Sequence, residues 1–355
     1  MEAACWGSGD EAGIGAMIEK YAYARAGFLG NPSDGFHGKT ISFIVRNFRA
    51  RVLLYPSVRL EIRPSAADIP LWESLEDLRR TTHWRGYYGG IRIIQALLMR
   101  FTDYCRDEGI ELPRRNFTIE YESNIPQRLG LGGSSAIITG ALRALMEYFG
   151  VEIPRPEQAN LVLETETKEL GVGAGLQDRV IQVYEGIVYM DFAARRMKAR
   201  GHGLYESLDS SLLRNIYVAY RTSLSEGTEV FHNDIRSRFS RGERKVVQAM
   251  KTWAAIAEDG KQALLANDYD ELARLVDRNY DLRARIYPVS GGNRELIATA
   301  RKLGASAKFA GSGGAIVGTY RDRRMFRSLT KAFERIGVAV IEPRVEPEIA
   351  AGSAA

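Results

Sequence analysis

The segment Ile125-Pro126-Gln127-Arg128-Leu129-Gly130-Leu131-Gly132-Gly133-Ser134-Ser135-Ala136 runs straight into the helix-forming stretch Ile137 to Tyr148, and it constrains this chain more than any other. Gly130, Gly132 and Gly133 let the backbone approach a ligand and take conformations closed to other residues. Ser134 and Ser135 stand where a helix begins, and the unpaired amides of a helix start, aided by its dipole, make an anion site suited to phosphate. A tight turn with a serine cap is the ordinary alternative.

The surroundings of this loop set the fold class. Asn116 to Glu122 alternates as a strand, with Phe117, Ile119 and Tyr121 on one face, and delivers the chain to the loop. Phe43 to Leu54 and Arg59 to Ile62 read as strands, Ile91 to Glu108 as a helix, Gln158 to Gly171 and Gln177 to Tyr184 as helices, and Gly186 to Met190 as a strand. After Gly201-His202-Gly203 the pattern starts again with a strand at Asn215 to Arg221. Helices follow at Lys245 to Glu258, Lys261 to Leu265, Tyr269 to Arg283 and Arg294 to Leu303, then strands at Ala307 to Phe309 and Ala315 to Thr319. A helix at Arg324 to Ile336 and a strand at Val338 to Ile341 close the pattern. At 355 residues the chain exceeds one usual core, and the interleaving predicts two α+β domains, over 19–204 and 205–346, with loose tails at 1–18 and 347–355.

Composition narrows the function. Lys and Arg outnumber Asp and Glu by 49 to 44, without a basic run interleaved with aromatics, so nucleic acid is a poor partner and small anionic substrates are better ones. Cys5 and Cys105 are far apart, which excludes a disulfide framework and a thiolate metal site and fits a reducing compartment. Met1 to Met17 lacks a basic n-region and a long apolar core, and no apolar run approaches the ~20 residues that span a bilayer. These features predict a cytoplasmic protein, with no membrane partner. Ser33-Asp34-Gly35-Phe36-His37-Gly38-Lys39-Thr40 nearly spells a Walker A loop. Ser33 replaces its first glycine, however, and a strand-like run follows Lys39-Thr40 where that loop needs a helix.

Three further stretches accompany the glycine loop: Ala24-Arg25-Ala26-Gly27-Phe28-Leu29-Gly30-Asn31-Pro32-Ser33-Asp34, Glu164 to Arg179, and Lys308-Phe309-Ala310-Gly311-Ser312-Gly313-Gly314-Ala315. In this order the four resemble the GHMP kinases, from about Tyr21 to Val345. Within that family Gly30 to Asp34 and Ala174 to Arg179 are most similar to the glucuronokinases. The resemblance implies an N-terminal domain like ribosomal protein S5 domain 2, a ferredoxin-like C-terminal domain and an active site between them. It also implies ATP and Mg²⁺ as cofactors, and transfer of the γ-phosphoryl group of ATP to the anomeric hydroxyl of D-glucuronate. A neutral hexose or a heptose phosphate is the alternative acceptor, a non-catalytic ligand-binding regulator is the rival outside enzymes, and monomer and homodimer stay equally open.

The same resemblance assigns roles. Gly130, Gly132, Gly133, Ser134 and Ser135 hold the ATP phosphates. Glu166, Gly171 and Asp178 match the family spacing of an acid, a glycine five residues on and a second acid twelve residues on. Glu166 and Ser135 are thus the expected metal ligands, with Ser134 an alternative to Ser135, while Glu164 and Glu169 read as surface charges. Asp178 orients the attacking hydroxyl, and Arg25 places a cation beside the γ-phosphate. Asp34, His37, Lys39, Gly175 and Arg179 fall on the substrate side, and Gly311, Ser312 and Gly313 form the loop that closes over it. Asn31 and Pro32 depart from the Glu-His pair of galactokinases, so sugar contacts do not transfer from them.

Overall fold

The computed structural model describes residues 16–68, 74–76, 89–221 and 229–346, without the side chains of 67 and 229–233. Apart from 16–18 the two expected tails lie outside these residues, and Ile18 already opens a strand.

In chain order the first half contains β1 (Ile18–Leu29), β2 (Lys39–Pro56), β3 (Glu61–Ile62), α1 (Gly90–Asp107), β4 (Phe117–Ser123) and α2 (Gly133–Phe149). It continues with α3 (Arg155–Glu164), a single wider turn at Thr165–Glu169, α4 (Gln177–Tyr184), β5 (Ile187–Asp191), α5 (Ala194–Arg200) and β6 (Leu204–Leu208). Long β2 is the hub of the first sheet. β1 lies antiparallel to it from Ile18 to Leu29, β5 pairs its first residues, Lys39 to Phe43, and β4 pairs its last, Ala50 to Pro56. β3 and β6 extend the two ends.

The burial of β2 explains its composition. Ile41, Phe43 and Val45 enter one core while Ile44 enters another with Val180, Ile181 and Met190, so this half is buried on both faces. From Ala50 on, the strand alternates: Val52 and Leu54 pack beneath α1 and α2, and the other face turns to a cleft. β6 pairs β5 antiparallel, so the first sheet continues through Leu208, past the expected division at 204 and 205.

The second half contains β7 (Ile216–Arg221), α6 (Glu229–Ser240), α7 (Arg244–Ala266), α8 (Tyr269–Ile286), α9 (Gly291–Lys302), β8 (Lys308–Phe309), β9 (Ala315–Thr319), α10 (Arg323–Glu334) and β10 (Val338–Ile341). Its sheet is antiparallel throughout, in the order β10-β7-β9-β8. One core joins the halves: Phe28, Leu29 and Ile41 pack in the same cluster as Trp253, Ile256 and Leu275. Polar clasps tighten that junction. Asn279 Oδ1 accepts from Gly30 N at 2.8 Å, Asn279 Nδ2 donates to Asn31 O at 3.2 Å, and Gly27 N donates to Ala310 O at 2.7 Å.

Candidate active site

A cleft of about 1230 Å³ runs between the glycine loop, the outer face of β2 and β4, the segment 170–179 and the turn after β8. α2 starts at its wall. Gly132 caps that helix at φ 77°, a left-handed conformation that only glycine adopts without strain, and no side chain caps it. The first amide bonded within the helix is that of Ala136, to Gly132 O at 3.1 Å, so the amides of Gly133, Ser134 and Ser135 have no intrahelical acceptor. Gln182 holds the loop in place by donating to Gly132 O at 2.7 Å and Tyr23 O at 3.0 Å.

The structure separates the two serines. Ser134 lines the cleft and its Oγ donates to Glu166 Oε1 at 2.7 Å. Ser135 is buried, and its Oγ turns back to Gly132 O at 3.2 Å. The pair expected between Ser135 and Glu166 is therefore made by Ser134, because adjacent helical residues point in different directions. Glu166 is buried in the wider turn Thr165–Glu169, where one extra residue per turn swings it inward, while Glu164 and Glu169 pair outward with Arg100.

Asp178 lies in the first turn of α4, with Oδ2 accepting from an Arg25 Nη at 2.5 Å. Arg25, buried on β1, also donates to the carbonyl of Gly130 and so ties β1 to the glycine loop. Arg179 faces Glu166 as an ion pair and stands 3.7 Å from Asp178. Two acids and two guanidinium groups thus form one charge-balanced cluster at the cleft floor.

Asp34, buried, accepts at Oδ2 from the amides of Leu176 at 2.8 Å and Gln177 at 3.2 Å, which start α4. Burial, and then the charge of Asp178, push its carboxyl above the ordinary 3.8 despite those amides. Gly175 lines the cleft beside it. His37 and Lys39 do not line it, contrary to expectation. His37 is exposed at the end of a short turn, and Lys39 Nζ is drawn 2.5 Å from Glu258 Oε2 on α7.

The turn after β8 comes from the second half. Gly311 and Ser312 line the cleft, and a Cβ on Gly311 would stand 2.2 Å from Gly130 O. Gly313 instead packs towards Asn293 and away from the cleft. Two residues without an assigned role support this turn. Arg283, buried, donates to Gly311 O at 3.1 Å and Ser312 O at 2.8 Å. Lys308 Nζ donates to Asn31 Oδ1 at 2.6 Å, Gly27 O at 2.7 Å and Phe309 O at 2.8 Å, and burial pushes it well below its ordinary value. Tyr287 is buried near Asp34; its hydroxyl has no hydrogen-bond partner among the described residues, and burial pushes it up to about 12. A lysine in the apolar run Ala305 to Ala310 is a readable signal of such a role; Arg283, within a charged helix, gives none.

Ser134 and Glu166 fit a hard divalent cation that takes the rest of its shell from a nucleotide, since Mg²⁺ is usually held by one or two carboxylates and phosphate oxygens. Among the described residues no group of three His, Cys, Asp or Glu makes an all-protein cage, and no helix is long and apolar enough to cross a membrane.

Residues 93–186 match the GHMP kinases N terminal domain and residues 261–335 the GHMP kinases C terminal domain. Glucuronokinase 1 of Arabidopsis thaliana is 42% identical over 308 residues, 85% of this chain and 84% of that protein. Probable glucuronokinase 2 of the same plant is 42% identical over 317 residues, 87% of this chain and 85% of that one. The galactokinase of Lactococcus lactis, solved with galactose, superposes with a TM-score of 0.74 at 15% identity, over 94% of each chain, which is likeness of fold.

Proposed function

The chain belongs to the GHMP kinases, phosphotransferases that use ATP and act on an alcohol group, and on that premise we propose that it is a sugar 1-kinase acting on the anomeric hydroxyl of D-glucuronate. The observation that carries the acceptor is the 42% identity, over most of both chains, to proteins named glucuronokinases.

The geometry supports a division of labour along the cleft. The free amides of Gly133, Ser134 and Ser135 bind the terminal phosphates of ATP at the start of α2. Ser134 and Glu166 would hold Mg²⁺, which would supply positive charge against the charge that develops on the phosphate oxygens. Asp178 accepts the proton of the attacking hydroxyl, and Arg25 fixes that carboxylate in place while adding positive charge near the transferred group. Arg179 balances Glu166 and so acts on the metal end of the cleft and not on the sugar. Asp34 spends Oδ2 on two amides, which leaves Oδ1 for a sugar hydroxyl. Gly311 and Ser312 close the site from the second half.

The test is ADP release with ATP and a panel of uronic acids, hexoses and heptose phosphates. Glucuronate should give the highest kcat/KM. A hexose or heptose phosphate used as well or better would overturn the uronate assignment and leave the kinase.

A further inference from the structure

We propose that Arg236, on α6, recognises the carboxylate of the substrate, a role that rests on the uronate reading above. A carboxylate needs a cation, and the cations around the Asp34 end of the cleft are nearly all spent. Arg25 and Arg179 hold Asp178 and Glu166. Arg283 places its two terminal nitrogens on the carbonyls of Gly311 and Ser312, with its guanidinium 4.9 Å from the Phe309 ring. Lys39 is engaged by Glu258 outside the cleft.

Arg236 differs from all of these. It lines the cleft, its side chain is exposed, and among the described residues it has neither a carboxylate nor a carbonyl partner. The nearby acids with described side chains are committed elsewhere: Asp234 and Glu243 both pair with Arg238, at 3.5 Å and 2.7 Å. Its position is fixed by packing. Phe239, one turn further along α6, stacks 4.9 Å from Phe36, two residues beyond Asp34 in the same short turn. Residues three apart share a helix face, so that contact brings Arg236 to the mouth of the cleft at the Asp34 end. An arginine fork can grip both oxygens of a carboxylate, which a lysine cannot reproduce. The substrate would then be held by Asp34 and Asp178 from the first half and by Arg236 from the second.

The experiment measures kcat and KM of the full chain for glucuronate and for glucuronamide, its neutral amide, with saturating ATP. Arg236→Ala should lower kcat/KM for glucuronate by about 10- to 100-fold, mostly through KM, as expected for loss of a hydrogen-bonded charge pair. Efficiency with glucuronamide and KM for ATP should stay unchanged. Arg236→Gln, which keeps the aliphatic stem, should behave as the alanine variant does, and Arg236→Lys should recover part of the loss. Equal effects on acid and amide, or no effect on the acid, would overturn the role of Arg236. A wild-type protein that does not prefer glucuronate to its amide or to glucose would instead overturn the uronate reading, so the two failures are distinct.

Discussion

Asp178 is held by one guanidinium at 2.5 Å and approached by another at 3.7 Å, so its orientation towards the cleft is fixed from two sides. Replacing it with asparagine keeps the shape and removes the proton acceptor. Asp178→Asn should therefore lower kcat at least about 100-fold while the Kd for ATP stays close to wild type, read by steady-state kinetics beside calorimetric titration. The serines give a sharper contrast. Ser134→Ala and Glu166→Gln should each raise the Mg²⁺ concentration needed for half-maximal rate, and Ser135→Ala should not, since its hydroxyl is occupied by Gly132 O. An Mg²⁺ titration in which only the Ser135 variant shifts would move the metal to the other hydroxyl. At this scale the meeting of Glu166 and Asp178 in one cleft is legible, because two acids at a family spacing are visible in one dimension. The choice between neighbouring serines was not, since it depends on how the loop enters the helix. Nor was the capture of Lys39 by Glu258, which lies 219 positions away and is brought close only by tertiary folding.

At the level of elements, α4 begins on a carboxylate borrowed from another segment, Asp34. That carboxyl holds its proton more tightly in the folded chain than in the unfolded one. Such a group favours the fold below its unfolded pKa and loses that contribution as pH rises through its folded pKa. Asp34→Asn cannot ionise and can still accept both amide bonds. Its Tm should pull ahead of the wild type as pH is raised from about 4 towards neutrality, and the gap should narrow below that. A constant gap across the range, read by thermal melts at fixed ionic strength, would show that Asp34 ionises freely. Most elements are legible from periodicity, and the exceptions have separate physical causes. β1 is hidden in the sequence because Ala22, Ala24 and Ala26 carry its alternation in residues of low strand preference. α7 was read as two helices broken near Gly260, which stays helical because the missing side chain admits Leu29: a Cβ there would meet Leu29 Cδ1 at 2.2 Å. The wider turn at Thr165–Glu169 and the half-buried edge strand β6 leave no pattern to read.

Across the whole molecule the two halves meet backbone to backbone at Gly130 and Gly311. A methyl group at 311 has only the rigid carbonyl of Gly130 to press on, so Gly311→Ala should part the loops. It should cost about 1–3 kcal/mol of stability, by analogy with overpacked cores, and lower kcat/KM for ATP, measured by denaturant unfolding and kinetics. Two α+β units were foreseen from the interleaving of strands and helices. Their shared core was not, because nothing in Phe28 or Leu29 announces that Trp253 and Ile256 will cover them. That shared core bears on how the protein is born. A ribosome releases β1 long before it reaches Trp253 and Ile256, and at ordinary elongation rates the gap is on the order of ten seconds or more. Throughout that interval Phe28, Leu29 and Ile41 wait without their cover, as sticky surface that a chaperone must shield or neighbouring nascent chains will find. A chain truncated after Arg221 should accordingly precipitate or bind holdases, whereas one carried through Glu346 should not, and a soluble, cooperatively melting fragment would show that the first half completes its core alone.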